Sequence, residues 1–319
     1  MSIFSNSDVA MDIGTATIRV ASHPRGVCRQ PSIFRGLRAL SRGVIVDTGA
    51  TTELLRPLMQ KRRRAGLAGP RVLACAPTDV TPLERHSVQT CILEAGASSV
   101  VVLPEPLAAA VGSGIDIGCK YAKCIVDFGE GVTDCAIIRQ GKIVASLAER
   151  VGCSDLRRAV QATAAKWSGD EVSEMEADRL LREIGLARSG KEVFCRDVDG
   201  RPLAEPVPMA AFHAELRPVI DRLLAPIKDL LHDIPASIGA EVIEDGIFLT
   251  GGGALLPGMC AAVSEASAIE ARTVAEPLNA VIDGAQVMLP LAATLNLWKT
   301  RGRHQRSGVS KPPGFTFAD

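Results

Sequence analysis

The stretch AKCIVDFGEGVTDCAIIR, residues 122–139, decides how the rest of the chain is read. An apolar run, Cys124 to Val126, ends on Asp127; Gly129, Glu130 and Gly131 follow, and a second β-rich run occupies Val132 to Ile138. Two such runs joined by a short glycine turn predict a β-hairpin. Its glycines let the backbone come close to a ligand, its N–H groups suit phosphate oxygens, and a strand-end aspartate suits the water shell of a magnesium ion. One acidic hairpin is ordinarily no more than a hairpin.

The same form occurs twice more. DVAMDIGTATIRV, residues 8–20, runs into Asp12 and then through Gly14, Thr15, Ala16 and Thr17 into another strand, 115 residues before Asp127. A hairpin repeated at that distance predicts a duplicated domain with one turn from each half facing a common cleft. GIFLTGGGALLPG, residues 246–258, is a strand running into Gly251, Gly252 and Gly253 and then a helix, the form of a nucleotide-binding turn.

Six phrases in order along the chain carry a resemblance: DIGTAT (12–17), RVLACAPTDVTPLERHSV (71–88), EAGASSVVVLPEPLAAAVGSG (94–114), VDFGEGVTDCAII (126–138), DRLLREIG (178–185) and FLTGGGALLPG (248–258). The chain resembles the actin, sugar-kinase and heat-shock ATPase superfamily, and within it the MreB/Mbl family of bacterial actins. The resemblance implies an α/β, actin-like (ribonuclease H-like) fold of duplicated domains around a nucleotide cleft, binding ATP with Mg2+. It assigns Asp12, Gly14, Thr15, Ala16 and Thr17 to the first phosphate turn, and Asp127, Gly129, Glu130 and Gly131 to the second. Asp12 and Asp127 would organise the metal through water. Gly152, Asp178, Arg179 and the Gly251 to Gly253 turn fall to the nucleotide's other side. Glu105 matches the residue that orients the attacking water, with Thr133 beside it as a catalytic position. Glu105 also reads simply as an acid at a helix start, favoured by the dipole.

Several positions depart from the family pattern. Glu130 replaces a glycine, and a carboxylate there repels phosphates unless magnesium intervenes. Gly152, Cys153 and Ser154 stand for Gly-Gly-Asp, and Leu181 for a lysine-like residue, which implies a base pocket that is either more apolar or no longer specific for adenine. Only six residues separate Gly36 from Gly43, where the family carries a small subdomain used in longitudinal contacts.

The expected domains are residues 1–125, lacking that subdomain between 36 and 43; residues 126–298, with an intact small subdomain over about 168–240; and a basic disordered tail, 299–319. Ala211 to Leu231 reads as a long helix interrupted or kinked near Pro218 and Pro226, and Pro277 to Leu289 as a later helix. Alternating strands and helices from Arg71 to Gly112 imply a largely parallel sheet.

Composition bounds the partners. With 319 residues, 47% apolar content and zero net charge, the chain suits two globular domains, and its charge does not argue for nucleic acid. Nine scattered cysteines without a C-x-x-C pair read as reduced core thiols of a cytoplasmic protein. Lys61, Arg62, Arg63 and Arg64, with Leu67, read either as the solvated end of a helix or as a contact with an anionic inner membrane, worth about 1 kcal/mol per basic residue. The function expected is a cell-shape-determining cytoskeletal protein that binds ATP, hydrolyses it slowly, and assembles at the inner membrane with itself or a full-length MreB-type protein and with cell-wall synthesis proteins. The alternative is a non-polymerising regulator of such a filament. A sugar kinase is disfavoured because no catalytic aspartate or added substrate segment can be placed, and a chaperone because no substrate-binding domain follows.

Overall fold

The computed structural model describes residues 8–22, 26–61, 69–186, 190, 192–294 and 299–300. The chain opens with β1 (Val9–Ile13), β2 (Thr17–Ser22) and β3 (Gly26–Pro31), then β4 (Ile33–Phe34), β5 (Leu37–Arg38), β6 (Leu40–Ser41) and β7 (Val44–Ile45). Next come α1 (Thr48–Gln60), β8 (Arg71–Ala76), α2 (Pro82–Glu94), β9 (Ser99–Pro104) and α3 (Glu105–Gly112). A second series begins with β10 (Lys123–Phe128), β11 (Thr133–Arg139), β12 (Lys142–Glu149), α4 (Cys153–Ser168) and α5 (Glu174–Ile184). It continues through β13 (Glu192–Val193), β14 (Val207–Pro208), α6 (Met209–Asp233), α7 (Ala236–Asp245) and β15 (Ile247–Thr250). The last elements are α8 (Met259–Ser267), β16 (Ala271–Thr273), α9 (Ala280–Thr294) and β17 (Lys299–Thr300).

Two sheets repeat one topology. The first runs β3-β2-β1-β8-β9 with β17 added at the edge, the second β12-β11-β10-β15-β16. In each, the first three strands form an antiparallel meander and the strands beyond the leading one add in parallel. The leading strands are buried almost throughout, VAMDI in β1 and KCIVDF in β10, as befits strands covered on both faces.

The halves meet on α3 and α9. Both helices contribute to one apolar cluster that also holds Ala10 and Leu73 of the first sheet and Ile125 and Ile138 of the second. Their crossing is close: a Cβ on Gly112 would fall 1.9 Å from the Ala280 carbonyl oxygen, and one on Gly284 only 1.7 Å from that of Ala108. Any side chain there would separate the helices, so these glycines set the spacing of the two halves.

Three expectations change. The long helix is not interrupted: it runs from Met209 to Asp233 with both prolines inside it. Phe212, Leu216, Ile220, Leu223, Ile227 and Leu230 recur at helical spacing and are all buried, and that burial outweighs the proline penalty of about 3 kcal/mol each. The later helix covers Ala280–Thr294, starting beyond Pro277. Lys299 and Thr300, expected in a disordered tail, instead pair antiparallel with Val100 and Ser99 as an edge strand; residues 301–319 lie outside the described residues. Where the family subdomain would stand, residues 32–46 form two small hairpins, β4 with β5 and β6 with β7.

Candidate functional site

The sheet pairings bring the three turns together. The parallel register sets Asp127 beside Thr250, whose hydroxyl donates to the Asp127 carboxylate at 2.7 Å. Gly251 has a φ of 78°, and a Cβ there would lie 2.4 Å from the Phe128 carbonyl oxygen, so the third turn can follow the second only with glycine. On the other side, a Cβ on Gly131 would sit 3.2 Å from the Thr15 hydroxyl, and the Gly43 N–H donates to that same hydroxyl at 2.8 Å. Ser32 ties the first turn down, its hydroxyl donating to the Gly14 carbonyl at 2.6 Å. One cavity of about 230 Å³ lies between the three turns.

Most of the expected residues line this cavity. The first turn contributes Asp12, Gly14, Thr15, Ala16 and Thr17; the second contributes Asp127, Gly129, Glu130 and Gly131. Glu105, Asp178, Gly251 and Gly252 complete the expected lining. Glu105 reaches it as the first residue of α3, the helix wedged between the halves.

Four expected residues stand elsewhere. Thr133 is fully buried, and its hydroxyl donates to the Val151 carbonyl at 3.0 Å, which ties β11 to the end of β12 instead of facing the cleft. Gly152 sits behind the second turn: a Cβ would fall 2.5 Å from the Glu130 carbonyl oxygen, and the next two N–H groups donate to the carbonyls of Gly129 and Glu130. Gly253 packs against Phe128 and Cys153. Arg179 turns away because Asp178, Leu181 and Arg182 occupy the cleft face of α5, and a helical step of one residue rotates it off that face. Its guanidinium donates to Glu176, to Glu183 and to the Phe194 carbonyl. Of the basic cluster, Lys61 is exposed just past α1, while Arg62, Arg63, Arg64 and Leu67 lie outside the described residues.

The charges of the cleft are largely met from within. Glu130, expected to repel phosphates, is paired with Arg157 of α4. Asp178 accepts from Arg182 at 2.8 Å. Asp12 accepts from Arg19 at 2.8 Å, a cross-strand pair fixed by the β1–β2 register, in which the two residues are directly opposite. Burial pushes the Asp127 carboxyl up to about 6, against the hydrogen bond from Thr250. Burial, together with the negative Asp12 and Asp127 nearby, raises Glu105 well above the usual carboxylate range. The thiol of Cys153 is held neutral, pushed up to about 12 by burial.

Arg19, Arg157 and Arg182 all line the cavity and are absent from the expected site. Arg19 alone was legible in advance, because a hairpin closed over Gly14 to Thr17 places Asp12 opposite Arg19. Leu181, Leu256 and Leu278 add an apolar lining. The glycine turns, the arginines and this apolar wall suit a nucleotide. The aspartates suit a metal less well: Asp12 is engaged by an arginine and Asp127 by a hydroxyl, and no cluster of three potential ligands occurs among the described residues.

Two α/β halves of one topology, joined by a close helix crossing around a cleft of glycine turns, define an actin-like protein. Solved structures bear the fold out. The chain superimposes on MreB5 of Spiroplasma citri, bound to AMPPNP, with a TM-score of 0.80 over 90% of this chain and 97% of that one at 23% identity. It matches the MamK double helical filament at a TM-score of 0.73 and 16% identity, over 90% and 99% of the two chains. A family model described as MreB/Mbl protein matches residues 27–296, and the chain belongs to that family. It is 31% identical to the cell shape-determining protein MreB of Escherichia coli K12 over 80% of this chain and 76% of that protein. With the cell shape-determining protein Mbl of Bacillus subtilis it shares 27% identity over 89% and 88%.

Proposed function

We propose that this chain is a nucleotide-binding cell-shape protein that assembles with itself or with a full-length MreB-type relative. The observation that carries the reading is the convergence of three glycine turns on one cleft, with Thr15 of the first against Gly131 of the second and Gly251 of the third against Asp127. The nucleotide-bound MreB5 and the filamentous MamK support nucleotide binding and self-association respectively. In this reading the phosphates lie between the turns at Gly14 and Gly129, the ribose near Asp178, and the base against Leu181 and Leu278. Glu105 is the candidate to orient water in a slow ATPase step; without Thr133 at the cleft, the chain offers it no expected helper. Attachment to the inner membrane and to cell-wall synthesis proteins belongs to the same proposal.

A second reading, a non-polymerising regulator of a full-length filament, is favoured by residues 32–46. In place of a subdomain, this strap of the first half reaches across to the second: Arg42 donates to the Arg150 carbonyl and to Asp155, each at 3.1 Å, and Arg38 to Glu174 at 2.7 Å. Pelleting with ATP, alone and with a full-length relative, separates the two. Sedimentation alone supports the first, and an effect only on the relative's polymer supports the second. Calorimetry showing no nucleotide binding would remove both in their nucleotide-dependent form.

A further inference from the structure

The cleft of an actin-like protein has to solve one electrostatic problem, that phosphates must sit beside two buried aspartates. A divalent metal is the usual remedy for such a clash, since it offsets the carboxylates and bridges the phosphate oxygens. Here a side chain already stands in that place. Arg19 projects into the cavity from β2 and donates to Asp12 at 2.8 Å, and the strand register makes this neighbour obligatory, not incidental. Its field also reaches Asp127, where it opposes the upward pull of burial. The Arg19 Nε is buried with no hydrogen-bond partner, while the side chain as a whole lines the cavity and keeps 20% of its surface open, so the outer guanidinium nitrogens have donors to spare beyond the bond to Asp12. The other carboxylate that would repel phosphates, Glu130, is covered by Arg157.

We propose that Arg19 is the built-in cation of this cleft, so that the chain holds the phosphates of a nucleotide without a divalent metal. The proposal rests on the nucleotide reading above. A guanidinium is permanently charged, and its planar fork of donors matches phosphate oxygens, so it can both offset Asp12 and bond the ligand. With Arg19 in position, one oxygen of the Asp12 carboxylate is already taken by a cation, which weakens its pull on a hydrated metal. The departure is specific to the first turn: Asp127 has a hydroxyl partner in place of a guanidinium.

The test is calorimetric titration of the full chain with ATP, once with magnesium and once with EDTA. The wild-type affinities should agree within about twofold. Arg19→Gln should lose about tenfold or more in EDTA and regain binding with magnesium, because Asp12 is then freed for the metal. Arg19→Lys, which keeps the charge but not the fork, should fall between wild type and Arg19→Gln in EDTA. A wild-type loss of about tenfold or more in EDTA overturns the proposal while leaving nucleotide binding intact. Failure to bind under either condition overturns the nucleotide reading itself, and the proposal with it. The wild-type comparison requires no variant to fold, and thermal melts without nucleotide establish that the glutamine variant does.

Discussion

The two halves of this molecule share a topology and differ in what surrounds it. Each leading strand carries an aspartate into the cleft, yet Asp12 meets a guanidinium from its own hairpin and Asp127 meets a threonine hydroxyl from a strand 123 residues later. In the first half α1 and α2 pack on the sheet and residues 32–46 add two small hairpins; in the second, α4, α5 and α6 build a larger apolar cluster. Duplication therefore preserved the backbone, which is set by strand pairing, while the charge of each turn was free to diverge. The first half is electrostatically closed and structurally reduced, and the second carries most of the mass and the less neutralised carboxylate.

The comparison depends on both halves sharing one spacer, and breaking it should have the largest effect. Gly284→Val places a side chain where the Ala108 carbonyl oxygen lies 1.7 Å from a Cβ position. We expect a loss of about 3 kcal/mol or more, read as a large fall in Tm or as failure to fold cooperatively. The same change at Gly141, with φ of 73° and open space, should cost much less, which separates packing from backbone strain.

Asp134 sharpens the contrast from the second half. It is buried, accepts from the Thr78 N–H and hydroxyl across the cleft side of the halves, and burial pushes it up to about 8. An unfolded aspartate ionises near pH 4, so between about pH 4 and pH 8 the folded state retains a proton that the unfolded chain has released. Its contribution to stability is fully present below that window and is lost as the pH rises through it. Asp134→Asn should therefore match wild type near pH 4 and exceed it by a few kcal/mol near pH 8, measured by urea unfolding across that range. Equal stability at both ends would show that Asp134 stays ionised.

Smaller effects follow at the second turn and the strap. Arg157→Ala leaves Glu130 largely buried without its cation and should cost about 2 kcal/mol, recovered in good part by adding Glu130→Gln. Arg38→Ala removes a pair whose side chains are 42% and 56% exposed, and stability should change by no more than about 0.5 kcal/mol. If pelleting with a full-length relative nevertheless changes in Arg38→Ala, the strap contributes to assembly and not to folding.

The sequence by itself determined the two hairpins, the triple-glycine turn, the duplication they imply and the family. These are local signals, because a turn's glycines, its strand-end acid and its flanking β-branched runs all lie within a few residues of one another. Only the tertiary structure decided which acids meet a cation. Glu130 finds Arg157 on the following helix, and Asp155 finds Arg42 from 113 residues away, contacts that no spacing rule anticipates. It also decided that Arg179 and Thr133 turn from the cleft, since helix phase and burial depend on what α5 and β11 pack against. Composition and order specify backbone turns; neutralising their charge takes partners that folding alone brings within reach.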